Sequence, residues 1–96
     1  MYYYDHKESG MRIQRLRRRA GLTQKELAEE VNINVSTLGK IERGLQGASL
    51  DLLIELSALF STSLDYIVLG RELPEDLIKE KIRNTIKTLK TLEKTL

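Results

Sequence analysis

The 96-residue chain contains no cysteine. Disulfide staples and thiolate metal sites are therefore excluded. His6 is the one histidine, so a histidine-based metal site would need a second chain. Aromatic residues are few, and three of them, Tyr2, Tyr3 and Tyr4, crowd the N-terminus. They read as a flexible arm or as surface packing. Long apolar runs are missing as well. The first residues lack the hydrophobic region of a signal peptide, and no stretch reaches the length of a membrane span. A reducing cytoplasm is the expected location, with no membrane partner. The chain has no G-x-G-x-x-G, no P-loop, no metal cluster and no Ser/His/Asp set. Neither an enzyme, nor a cofactor, nor a small-molecule ligand is expected.

What is present is a globular composition, 41% hydrophobic and 31% charged, in a length that suits one domain. The net charge of +2 is small, but it is unevenly spread. Residues 1–22 carry six basic and two acidic side chains, whereas residues 50–70 carry three acidic and no basic ones. Such asymmetry suits a protein that turns one face to a polyanion.

Apolar residues recur at helical spacing almost throughout, and no stretch alternates as a strand would. The spacing predicts a first helix over Ser9 to Arg19, with Ile13, Leu16 and Ala20 on one stripe. Arg17 falls on that stripe. Gly21 ends this helix. Thr23-Gln24-Lys25-Glu26 has the form of a capping box and opens a second helix to about Val31. Asn32-Ile33-Asn34 is a tight connection, because Asn32 tolerates a left-handed backbone and Asn34 is a good N-cap. A third helix follows from Val35 to Arg43, stopped by Gly44. Its inward stripe is Leu38, Ile41 and Glu42. Glu42 and Arg17 both point to the core and are candidates for one buried ion pair, since either charge alone would be very costly there. Ser49 caps a fourth helix to about Phe60, with Leu50, Leu53, Leu56, Ser57 and Phe60 expected inside. Ser63 caps a short fifth helix, Leu64 to Leu69, ended by Gly70.

Two short helices joined by a three-residue turn within five helices form a helix-turn-helix arrangement. Residues 10–70 resemble the lambda-repressor-like (Cro/cI-type, XRE) family. The resemblance is carried by Gly10-Met11-Arg12-Ile13, Gly21-Leu22-Thr23-Gln24, Glu26-Leu27-Ala28, Ser36-Thr37-Leu38, Lys40-Ile41-Glu42-Arg43-Gly44 and Ser63-Leu64-Asp65-Tyr66. It implies an all-α fold: a five-helix DNA-binding domain over 9–70, an arm over 1–8 and an added amphipathic helix over 71–96. It further implies that helix 3 reads double-stranded DNA, and that Arg17 and Glu42 are the family's structural ion pair. Three positions depart from the family pattern. Asn32 stands where glycine is usual, Ala48 replaces a frequent proline and should loosen its loop, and Gly39 interrupts the recognition helix.

An α-helix fits the major groove, with the N-terminal part of the recognition helix nearest the bases. Val35, Ser36 and Lys40 are the expected base contacts. Val35 suits a thymine methyl and Lys40 a guanine edge. Thr37, Gln24, Arg43 and Gln46 are the expected backbone contacts, Gln24 both from its place at the start of helix 2 and by resemblance. Arg12, Arg15, Arg18 and Arg19 add positive potential. The implied function is a transcriptional regulator, by default a repressor, bound to a palindromic operator as a homodimer. The alternatives are an antitoxin or anti-regulator whose main partner is another protein, and a restriction–modification controller protein.

The last helix is expected from Pro74, a favoured first helical residue, to the C-terminus. Ile78, Ile82, Ile86, Leu89, Leu92 and Leu96 form its stripe. Ile82, Leu89 and Leu96 fit heptad a positions; Ile78, Thr85 and Leu92 fit d. The stripe can form the dimer contact, dock a protein partner, or fold back over Leu52, Leu56 and Leu59.

Overall fold

The computed structural model describes residues 3–71 and 75–95, with side chains from 79 onward in the last helix. Six helices occur in the order α1 (His6–Arg19), α2 (Gln24–Glu30), α3 (Val35–Glu42), α4 (Leu50–Leu59), α5 (Leu64–Leu69) and α6 (Glu75–Thr95). No strand occurs among the described residues. α1 packs against α3 and α5, α2 against α3, and α4 against α5. The fully buried apolar centre is Ile13, Leu27, Leu38, Leu56 and Ile67, one from each of the first five helices.

Local chemistry sets each boundary. Asp5 caps α1, its carboxylate accepting from the Lys7 and Glu8 amides, so the helix begins three residues before the expected start at Ser9. Thr23 and Glu26 form the expected reciprocal box: the Glu26 amide donates to the Thr23 hydroxyl, and the Thr23 amide donates to the Glu26 carboxylate at 2.9 Å. The hydrogen bond from the Thr23 backbone, then that from its side chain, holds the Glu26 carboxyl below its ordinary pKa. Asn34, Ser49 and Ser63 cap α3, α4 and α5, each side chain accepting one backbone N–H. Asn32 takes φ +54°, the left-handed turn expected of it.

Four expectations are revised. Leu50 is 64% exposed, and the inward face of α4 is Leu52, Leu53 and Leu56. α4 carries apolar residues on almost every side, so its spacing admits both stripes. Of the two readings of the N-terminal tyrosines, Tyr4 takes the packed one and not the flexible arm. Its hydroxyl accepts from the Ala48 amide at 2.9 Å, and its ring packs on the core. Ala48 does not loosen the α3–α4 loop, because its N–H, which proline would lack, is what Tyr4 binds.

The fourth concerns α6, where one of the three alternatives falls away. Every residue from 79 to 95 is exposed, including Ile82, Ile86, Leu89 and Leu92, so this part of the helix does not fold back over Leu52, Leu56 and Leu59. Tyr2, Pro74 and Leu96 lie outside the described residues, as does the side chain of Ile78.

Candidate nucleic-acid interface

α3 is held from behind. Leu38, Gly39, Ile41 and Glu42 are buried, which fixes the helix rotation. Gly10 lets α1 cross close behind it, because a Cβ there would collide with the Ile41 carbonyl oxygen. At the end of α3 the backbone turns left-handed at Gly44 (φ +75°), and a Cβ there would lie 2.6 Å from the Lys7 Cα. The placement of α3 therefore depends on two points where backbone meets backbone without side chains between.

The charged groups reinforce this seating. Arg17 Nε donates to Glu42 Oε2 at 2.7 Å and Nη2 to Oε1 at 3.0 Å, a bidentate pair with side chains 9% and 0% exposed. Arg17 Nη1 also donates to the Leu22 carbonyl at 2.8 Å, and Gln24 Nε2 donates to Glu42 Oε1 at 3.0 Å. One network thus ties α1, the α1–α2 turn, α2 and α3 together. With so many hydrogen bonds, the desolvated charges are compensated on both sides.

The opposite face of α3 is open. Val35 is 45% exposed, and Ser36 and Lys40 are exposed beside it. Asn34 supplies the cap by accepting from the Ser36 amide at 2.7 Å, so the Ser36 and Thr37 hydroxyls are not used for helix initiation. Thr37 and Gln46 are half-buried at the edges, and Arg43 is exposed at the C-cap. Gln24 is half-buried beside α3, with its Oε1 3.7 Å from where a Gly39 Cβ would stand.

Two roles were hidden in the sequence. Arg12 is not simply a source of positive potential: its Nε and Nη2 donate to the Ile67 and Val68 carbonyls, both at 3.1 Å, and cap the end of α5. Gln24 is partly committed to Glu42. Backbone acceptors 55 residues away, and a side-chain pair across the turn, leave no periodic signal.

A buried scaffold that presents one helix with exposed hydroxyl, ammonium and methyl groups defines a helix-turn-helix protein. Residues 13–67 match the helix-turn-helix family model. The chain is 35% identical over 85 residues to the HTH-type transcriptional regulator ImmR of Bacillus subtilis (strain 168), covering 84% of this chain and 67% of that protein. The restriction-modification controller protein C.AhdI from Aeromonas hydrophila is similar in structure, with a TM-score of 0.60 and 29% identity over 68% of this chain and 98% of that one. The SinR protein/SinI protein complex gives a TM-score of 0.61 and 25% identity, covering 88% and 97%. The chain belongs to the XRE-type (Cro/cI-like) helix-turn-helix family of DNA-binding transcriptional regulators. No helix among the described residues is long and apolar enough to cross a membrane.

Proposed function

We propose that this chain represses transcription in the cytoplasm by binding a palindromic operator as a homodimer, with α3 of each copy in the major groove. The observation that carries this reading is the two-sidedness of α3: Leu38, Ile41 and Glu42 are buried, while Val35, Ser36 and Lys40 are exposed. Val35, Ser36 and Lys40 contact bases. Thr37, Arg43, Gln46 and the Gln24 amide proton not given to Glu42 contact the phosphate backbone on either side. One domain covers a half-site, so two copies read two half-sites.

In vitro selection of bound DNA, repeated with two variants, tests the assignment. Lys40→Ala should lose about 1–3 kcal/mol and relax preference at one base step. Arg43→Ala should weaken all sequences alike and reduce the slope of log affinity against log salt by about 1. An unchanged selected site for Lys40→Ala would remove it from base reading.

A second reading is favoured by the exposed stripe of α6 and by the likeness to the SinR/SinI complex, in which one protein binds another. In that reading α6 docks a protein partner that controls DNA binding. Likeness to C.AhdI supports a role as a controller protein within the same DNA-binding function.

A further inference from the structure

The unpartnered stripe of α6 carries information about orientation as well as association. Ile82, Leu89 and Leu92 are 55%, 60% and 54% exposed, and they occupy a, a and d positions of one heptad frame. Thr85 fills the d position between Ile82 and Leu89. Ile86, 47% exposed, lies beside the seam at e, together with Lys79 and Glu93 one heptad before and after it.

We propose that α6 pairs antiparallel with α6 of a second copy, placing the two DNA-binding domains at opposite ends of the pair. The proposal rests on the homodimer reading above and adds its direction. In an antiparallel pair, a residues pack opposite d residues, and e residues face e residues of the other chain. The antiparallel register that pairs the most apolar groups puts Ile82 opposite Leu92 of the second copy, and Leu89 opposite its Thr85. Every layer then has at least one large apolar member. The e positions fall into register as well: Ile86 meets Ile86 on the symmetry axis, and Lys79 meets Glu93 of the second copy, twice.

A parallel pair from the same residues stacks Ile82, Leu89 and Leu92 each on its own copy, but it is poorer at its other points. It stacks Thr85 on Thr85 in the seam. Its g-to-e neighbours are Lys81 beside Ile86 and Thr88 beside Glu93, which contain no pair of opposite charges. It also aligns Arg83, Lys87, Lys90 and Lys94 with their own copies, whereas the sequence opens this helix with Glu75, Asp76 and Glu80. The antiparallel arrangement brings that acidic start toward the basic end and opposes the two helix dipoles. Its frame separates the two Glu75 positions by about 36 Å at about 1.5 Å per residue.

The absence of native cysteine makes a clean test possible. Ile82→Cys and Leu92→Cys chains are oxidised separately and as a mixture, alongside sedimentation of the unmodified chain. The expected result is a covalent dimer from the mixture and little from either variant alone. Self-linking of Ile82→Cys or Leu92→Cys alone makes the pair parallel and overturns the proposal while leaving the homodimer intact. A monomer at every concentration, or a dimer in which no sample links, overturns both the orientation and α6 as the interface. Charge exchange is a second readout that leaves the apolar seam untouched. Glu93→Lys should weaken the dimer about fivefold, and the Lys79→Glu/Glu93→Lys chain should restore it. Failure of the double exchange to recover the dimer rejects the register.

Discussion

Arg17 and Glu42 are the residues on which the position of the reading helix turns. Both charges are almost wholly removed from water, and each is satisfied only while the other is present. Removing one partner of such a pair leaves an uncompensated buried charge, at a cost of about 3–5 kcal/mol. A domain of this size has a total stability of about 5–15 kcal/mol, so the loss takes a large share of it. Glu42→Ala should therefore lower the urea midpoint sharply. Arg17→Met/Glu42→Leu should recover part of the loss by exchanging the ion pair for apolar contact. A loss below about 1 kcal/mol for Glu42→Ala would place the pair in the range of solvated surface bridges. The inward direction of both charges follows from helical spacing alone, because each sits three or four residues from a core side chain. Gln24 and the Leu22 carbonyl, which complete the network, could not be read that way. Their contribution depends on how sharply the chain turns between α1 and α2.

At the scale of the element, each of the first five helices ends in a left-handed residue: Gly21, Asn32, Gly44, Ser61 and Gly70. Each of α2 to α5 also opens on Thr, Asn or Ser, whose side chain accepts a backbone N–H. This punctuation is local chemistry, which is why helix ends were legible in the sequence to within a few residues. Facing was less legible where a helix is apolar all round, as Leu50 and Leu52 of α4 show. Among the described residues, Ser61 is the one left-handed position held by neither glycine nor asparagine, at φ +50°. That conformation costs a non-glycine residue roughly 1–2 kcal/mol. Ser61→Gly should recover part of it, about 0.5 kcal/mol or more after the added freedom of the unfolded chain is subtracted. A lower thermal midpoint would show that the Ser61 side chain holds the turn. Gly39 presents the converse case. It sits inside α3 with ordinary helical geometry, and a Cβ there meets only the Gln24 amide oxygen at van der Waals distance. Gly39→Ala should stabilise the domain by about 0.5–1 kcal/mol. Little change in stability would mean that the added methyl displaces Gln24 from Glu42.

At the scale of the whole molecule, the proposed dimer assigns folding and DNA affinity to different parts of the chain. The core is closed by α1 to α5, and residues 79–95 of α6 bury nothing in it, although the molecule extends to 53 Å. A chain ending at Gly70 should consequently unfold at nearly the same denaturant concentration as the full chain measured dilute. DNA affinity should respond differently. When two domains are joined, the second half-site is bound at an effective concentration set by the linkage, and this raises affinity by about 10²- to 10⁴-fold without any new contact. Truncation after Gly70 should remove a factor of that order at a two-half-site operator and leave the base preference of each half-site as it was, since Val35, Ser36 and Lys40 are untouched. Binding isotherms on operators with one and two half-sites separate the effects. Loss of binding on the single half-site would show that α6 supports the reading domain itself. Equal affinity of the full and truncated chains for the paired site would place the dimer contact elsewhere, where the exposed Leu50 and Ile54 of α4 would be the next surface to vary.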